Sequence, residues 1–437
     1  MQQEQFNKQL FDFLHQASTP FHAAEYLADH FHQAGFQRLL ETENWNTEPG
    51  KGYYSIRDNG TLLAFRIADE PCEFTPWRMT GAHTDSPALQ LKPLPDRSGN
   101  SYTQLGVEVY GGPLLATWFD RDLGIGGRVT IIDENDTIKI RLLDFRRPVV
   151  TIPSLAIHLD RKTNEEHTID RQNHLYPLFS QALHNDASSP FSAIIRQQLQ
   201  KQYPDLSLRE ILGFDLFCYD TQPPTFLGIK GEFISASRLD NLVSCFVGAQ
   251  ALLQDKVFDN CLLLCSNHEE IGSSSVAGAH GNFLQTALER LLPNAPSRQT
   301  TLNRSFLLSL DNAHALHPNF VEKHDPQHLP LLNHGPVIKY NANQRYATTG
   351  RSAALYKTLA HEAGVFPQEF VMKNDMACGS TIGPITATNL GIQTVDLGIP
   401  SLAMHSIREI TGAKDPYLLF KTIAHFYSRP QLPQYEE

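Results

Sequence analysis

Two adjacent carboxylates, Glu269 and Glu270, follow the run Cys261-Leu-Leu-Leu-Cys265 and precede Gly272 and three serines. A short apolar run that stops in polar residues reads as a buried strand. In open α/β sheets, ligands bind beyond the carboxyl ends of strands. Adjacent carboxylates placed there can divide one task, one ligating a metal while its neighbour moves protons. A solvated Glu pair at a strand end is the ordinary alternative.

The same grammar recurs in Gly81-Ala-His83-Thr-Asp85, Ser237-Arg-Leu-Asp240-Asn, Leu310-Asp311-Asn and Ala403-Met-His405-Ser. In each, an apolar run ends and a carboxylate or imidazole follows. Strand ends of one sheet lie within reach of one another, so these groups can converge. Two histidines and three carboxylates form a donor set that suits zinc, or manganese and cobalt, and they suffice for two ions if one carboxylate bridges. Taken singly, each has a plainer reading. His83 and His405 could be satisfied structural histidines, Asp240 could cap a helix, and Asp311 could begin a turn. His314 and His317, three apart, could pair on a helix as ligands, but no HExxH pattern accompanies them, so they read as wall or structural residues.

The elements that must position these groups alternate through most of the chain. Phe6, Leu10, Phe11 and Leu14 are spaced as on a helix, and Thr19-Pro20 opens a second helix that Gly35 ends. Asp58-Asn-Gly60 joins two strands of a hairpin, and Trp77 to Ala82 is a strand running directly into His83. From about Lys92 short strands and turns dominate, and residues 161–190 are polar, with a loop signal at Asn185-Asp-Ala-Ser-Ser-Pro190 before a helix from Phe191 to Gln202. After Gly231 strands and helices alternate again, with helices expected over 239–253, 283–292 and 352–363, and strands over 260–265, 306–310 and 391–398. The pattern predicts an α/β chain, residues 1–91 and 230–437, carrying a β-rich insert over 92–229.

At 437 residues the chain has room for two or more domains. A net charge of −11 argues against a nucleic-acid partner, but not against an acidic substrate, because one buried cation can dominate a pocket. The six cysteines form no CxxC pair and read as buried thiols. No signal-peptide pattern and no apolar run approaching a membrane span occurs. A reducing cytoplasmic location is therefore expected, with no membrane partner.

Together the motifs resemble one family. Gly81-Ala-His-Thr-Asp-Ser-Pro87, Ser237-Arg-Leu-Asp-Asn-Leu242, His268-Glu-Glu-Ile-Gly-Ser273, Asp311-Asn-Ala-His-Ala-Leu-His-Pro-Asn319 and Ser401-Leu-Ala-Met-His-Ser406 are similar to segments of the aspartyl aminopeptidase family of dinuclear zinc exopeptidases. So are Ile152 to Arg161 and Gly335 to Tyr346. The resemblance covers nearly the whole chain in the same order, least over 161–190. It implies a three-layer, phosphorylase/hydrolase-like catalytic domain with an inserted dimerisation domain. It also implies two Zn2+ per subunit, replaceable by Co2+ or Mn2+: His83, Asp240 and Asp311 would hold one, and Asp240, Glu270 and His405 the other. Asp85 would orient His83 and Glu269 would be the general base. His158 would reach a neighbouring subunit's site and steady the oxyanion. Lys339, with Tyr346 beside it, would receive an acidic side chain.

The expectation is therefore a cytoplasmic, homo-oligomeric aminopeptidase, a dodecamer built from dimers, removing N-terminal Asp or Glu from peptides. A broader or neutral specificity is the first alternative. A non-catalytic assembly or cargo protein on the same fold is the second, and the complete ligand set with Glu269 argues against it.

Overall fold

A computed structural model describes residues 2–69, 75–181, 190–254, 257–433 and 436. Cys72 and most of the 185–190 loop signal lie outside the described residues. The chain divides into two compact units: Met1–Asp85 with Pro224–Met404 and Glu409–Glu437, and Ser86–Pro223 with His405–Arg408. The composition change at Lys92 and the return near Gly231 fall a few residues inside the first of these divisions and beyond the second. The strand that opens the second unit, Ala88–Gly99, starts with ordinary apolar alternation and so does not announce itself.

In the first unit, a nine-stranded mixed sheet runs in the order 37–38, 52–57, 61–66, 260–266, 77–83, 306–310, 393–398, 337–340, 368–371. The four strands Asn260–Ser266, Trp77–His83, Phe306–Leu310 and Gln393–Gly398 are neighbours and parallel. The first three are buried at every residue. Strands buried along their whole length fit a sheet covered on both faces. Alternate residues do go to different clusters: Leu62, Ala64, Leu263 and Leu308 to one, and Leu63, Phe65, Leu262 and Leu307 to the other. Helices Gln3–Gln16, Pro20–Gln33, Leu239–Leu252, Gly350–Glu362 and Asp415–Ser428 supply the first cluster, and Phe283–Leu291 the second.

The amino-terminal pair packs into the core, with Phe6, Leu10 and Phe13 fully buried. The expected hairpin is present, with Tyr53 opposite Phe65 and the turn made by Asp58 and Asn59 in the left-handed region. Helices Ala295–Asn303 and Ile382–Leu390 were not expected. The first is too polar to show a stripe, and the second carries Pro384 and three threonine or asparagine positions. A five-stranded sheet, ordered 225–227, 233–236, 409–412, 400–402, 313–314, completes this unit.

The second unit is a six-stranded antiparallel sheet, ordered 138–144, 123–132, 210–220, 88–99, 102–110, 178–181. Helix Phe191–Gln202 presses Phe191, Ile195 and Leu199 into its core. The β-rich reading of this region is what the strands show. Cys218, Cys245, Cys261 and Cys265 are buried free thiols, and Cys378 is partly buried.

Candidate active site

Three of the expected groups leave the carboxyl ends of the parallel strands. His83 is the last residue of its strand, Glu269 and Glu270 follow the strand ending at Ser266, and Asp311 follows the one ending at Leu310. Parallel pairing sets Ser266 beside His83 and so brings two of these ends together. Asp311 is held against the next strand by its N–H, which donates to the Leu397 carbonyl at 2.9 Å. A glycine is needed opposite: a Cβ on Gly398 would stand 1.8 Å from the Asp311 carbonyl oxygen.

Asp240 arrives from a different element. It lies at the start of helix Leu239–Leu252, with non-helical φ/ψ of −82° and 107°, after Arg238 in the left-handed region. Arg238, the residue that precedes this helix, makes no side-chain cap bond. The Asp240–Asn241 peptide is cis, and the Asn241 side-chain amide donates to the Leu310 carbonyl at 2.7 Å.

Among the described residues, His83, Asp240 and Glu270 form a metal-capable group whose ligand atoms all lie within 4.8 Å of one another. The hydrogen bonding tests whether it fits a cation. His83 Nδ1 donates to the Asp85 carbonyl at 2.9 Å, and a carbonyl can only accept. In the neutral ring Nε2 therefore carries the lone pair, and it faces Asp240 Oδ1 at 3.6 Å. Two acceptors opposed in a buried site call for a proton or a metal ion. Burial works against a charged His83, yet hydrogen bonding to Asp240 and Asp85, with Glu269 beyond, raises its pKa well above the ordinary value. The donor set, one imidazole and two carboxylates, is one that zinc accepts.

Asp85 does more than the sequence suggested. Its main-chain carbonyl holds the His83 ring, with the carboxylate 3.4 Å from Nδ1. The carboxylate also accepts the N–H groups of Glu269 and Glu270, each at 3.1 Å. These two residues open a single 3-10 turn, Glu269–Ile271, bounded by His268 and Gly272 in the left-handed region. Burial pushes the Glu269 carboxyl up to about 7; His83 opposes this, and Asp311, Asp85 and Asp240 add to it. Burial likewise raises Asp311, against the pull of Lys339.

Lys339 is buried, and its ammonium is already engaged. It stands 3.4 Å from Asp311 Oδ1, donates to the Asn312 carbonyl at 3.2 Å and lies 5.1 Å from the Tyr346 ring centroid. Tyr346 is itself buried, which raises its hydroxyl well above the usual range. His314 sits in a two-residue strand with its ring 5.8 Å from that of Phe370, and the His317 N–H donates to His324 Nε2.

The remaining two expected residues belong to the second unit. The Nδ1 of His405 donates to the Gly112 carbonyl at 3.1 Å, the same arrangement that fixes His83. His158 lies in an exposed segment, 153–159, that also exposes Leu155 and Leu159 to 61% and 75%.

One neighbour of the centre was not anticipated. Glu409, 2% exposed, accepts the Asp240 N–H at 2.9 Å. A carboxylate within the otherwise uncharged Glu409-Ile-Thr-Gly412 strand was the signal available for it.

Residues 13–427 match the family described as Aminopeptidase I zinc metalloprotease (M18). The chain is 48% identical over 430 residues to the probable M18 family aminopeptidase 2 of Stutzerimonas stutzeri (strain A1501), covering 98% of this chain and 100% of that relative. Its structure is similar to that of Ape4 solved in complex with Nbr1, with a TM-score of 0.93 and 35% identity, over 98% of this chain and 86% of the other. The mApe1 protein of S. cerevisiae, solved as a dodecamer, is similar with a TM-score of 0.82 and 29% identity, over 97% and 96%.

Proposed function

The chain belongs to the M18 family of zinc metallo-aminopeptidases and is a hydrolase, and on that premise we propose that it removes N-terminal residues, by preference Asp or Glu, from peptides at a two-zinc site. The observation that carries this reading is the His83–Asp240–Glu270 group with Glu269 on the same turn as its ligand neighbour.

His83, Asp240 and Asp311 hold one ion, and Asp240, Glu270 and His405 the other, with Co2+ or Mn2+ as substitutes. Charge supports bound cations: Asp85, Asp240 and Asp311 act on Glu269, Glu270 shares the metal-capable group with Asp240, and Lys339 opposes Asp311. Bound there, the ions supply Lewis acidity to the scissile carbonyl and acidify the attacking water. Glu269 takes the proton from that water and returns it to the leaving amine. Asp85 orients His83 and keeps the Glu269–Glu270 turn in place. His158, which its own unit leaves in solvent, reaches a neighbouring subunit's site and donates to the oxyanion.

Lys339, with Tyr346, receives the substrate's acidic side chain, sharing its ammonium with Asp311. That shared engagement also favours the second reading, a broader or neutral specificity, since a cation held by Asp311 attracts a second carboxylate less strongly. The assembly is a dodecamer built from dimers, as a dodecamer is known for mApe1 of S. cerevisiae. Residues 92–229 form the inserted dimerisation domain of a three-layer catalytic domain. The protein works in the cytoplasm; no helix among the described residues is long and apolar enough to cross a membrane. Metal analysis of the purified protein together with hydrolysis of Asp-, Glu-, Leu- and Ala-initiated peptides tests the whole reading. Two zinc ions per subunit and faster cleavage after Asp or Glu are expected. Preference for Leu or Ala would leave the neutral reading standing, and a metal-free, inactive protein would sink both.

A further inference from the structure

We infer that Glu409 is a positioning residue of the metal centre: it holds the Asp240 main chain so that the Asp240 carboxylate meets His83 and Glu270. The inference rests on the metal-site reading above, and it concerns a residue outside the ligand set.

The argument begins with the backbone of Asp240. Asp240 is the second residue of the Leu239–Leu252 helix, and the first N–H groups of a helix have no acceptor within it. Asp240 is buried, so its N–H needs an acceptor from elsewhere in the chain. Glu409 supplies one from 169 residues away, its Oε2 at 2.9 Å. The supplier is itself fixed, because Glu409 lies in a strand whose register sets it opposite Ala236, four residues before Asp240. An N–H bonded to a carboxylate is charge-assisted and stronger than one bonded to a neutral oxygen. The same negative charge raises the cation affinity of the neighbouring ligands. Second contacts of this kind change metal affinity by about 10- to 100-fold in other sites. Glutamine at 409 would keep an acceptor oxygen and lose the charge, whereas alanine would lose both.

The full-length protein, stripped of metal, is titrated with Zn2+ against a chromophoric chelator, for wild type, Glu409→Gln and Glu409→Ala. Cobalt-loaded samples are compared by visible absorption, and the metal-free samples by thermal melting. We expect Glu409→Ala to bind zinc about 10- to 100-fold more weakly and to show a shifted cobalt band, with Glu409→Gln recovering much of both. Wild-type affinity and an unchanged cobalt spectrum in Glu409→Ala would overturn the inference. So would a glutamine variant no better than alanine, or an affinity loss matched by an equal loss of metal-free melting temperature. If Glu409→Ala does not fold, Glu409→Asp takes its place: its shorter reach should weaken zinc binding more than glutamine does, and the reverse order overturns the inference. A wild-type protein that binds no zinc would instead remove the metal-site reading itself.

Discussion

The Glu269–Ile271 turn and the 153–159 segment place chemical groups in opposite ways. The turn is short, yet both ends are fixed in the left-handed region, two N–H groups go to Asp85 and the Gly272 N–H closes it on the Glu269 carbonyl. The 153–159 segment is tied by the Ser154 N–H to Asp120 and by a local turn at Ala156, and its Leu155, Ile157 and Leu159 face solvent. A contiguous exposed apolar run usually marks an interaction surface. One region is tied down within its own unit, and the other presents an imidazole among exposed apolar side chains.

Mutations can break this contrast or sharpen it. Glu269→Gln should lower kcat by about 10²- to 10⁴-fold while zinc content, measured by metal analysis, stays at the wild-type level; undiminished turnover would remove the base assignment. Behind the turn, Leu263→Ala hollows a fully buried site and should cost about 2–5 kcal/mol in denaturant unfolding. His158→Phe should reduce kcat about a hundred-fold, the loss expected of one oxyanion donor, with zinc affinity untouched. Equal activity of isolated subunits and assembly, with no effect of this substitution, would refute the shared site. Asp85→Ala frees both turn N–H groups and should weaken zinc about 10-fold or more in a chelator competition. Leu159→Ala, in the same exposed segment as His158, should change the unfolding free energy of the isolated subunit by about 0.5 kcal/mol or less. A large loss there would mean that the segment packs within its own subunit.

Much of the candidate centre was legible in the sequence because several of its proposed ligands follow buried strands, and strand ends announce themselves as apolar runs stopping at a polar group. His83, Glu270 and Asp311 could be placed in this way. Asp240 could not be fully placed, since its backbone leaves the helix that its sequence suggests, and no local pattern encodes that departure. Lys339 reads locally as a strand lysine, and its engagement with Asp311 and Asn312 exists only once distant strands are paired. Glu409 was missed for the same reason: its partner is a backbone N–H, which carries no residue type to search for. The helix over 295–303 lacked an apolar stripe, so its cap, Asn294 accepting from the Ser297 N–H, was the stronger signal.

His83 and His405 are each held at Nδ1 by a main-chain carbonyl, of Asp85 and of Gly112. A backbone oxygen survives every substitution at its position, so the hydrogen bond that favours this tautomer follows the path of the chain. Transplanting these two histidines onto another scaffold would therefore transfer their identities without their orientation, unless the loops at 85 and 112 were copied as well.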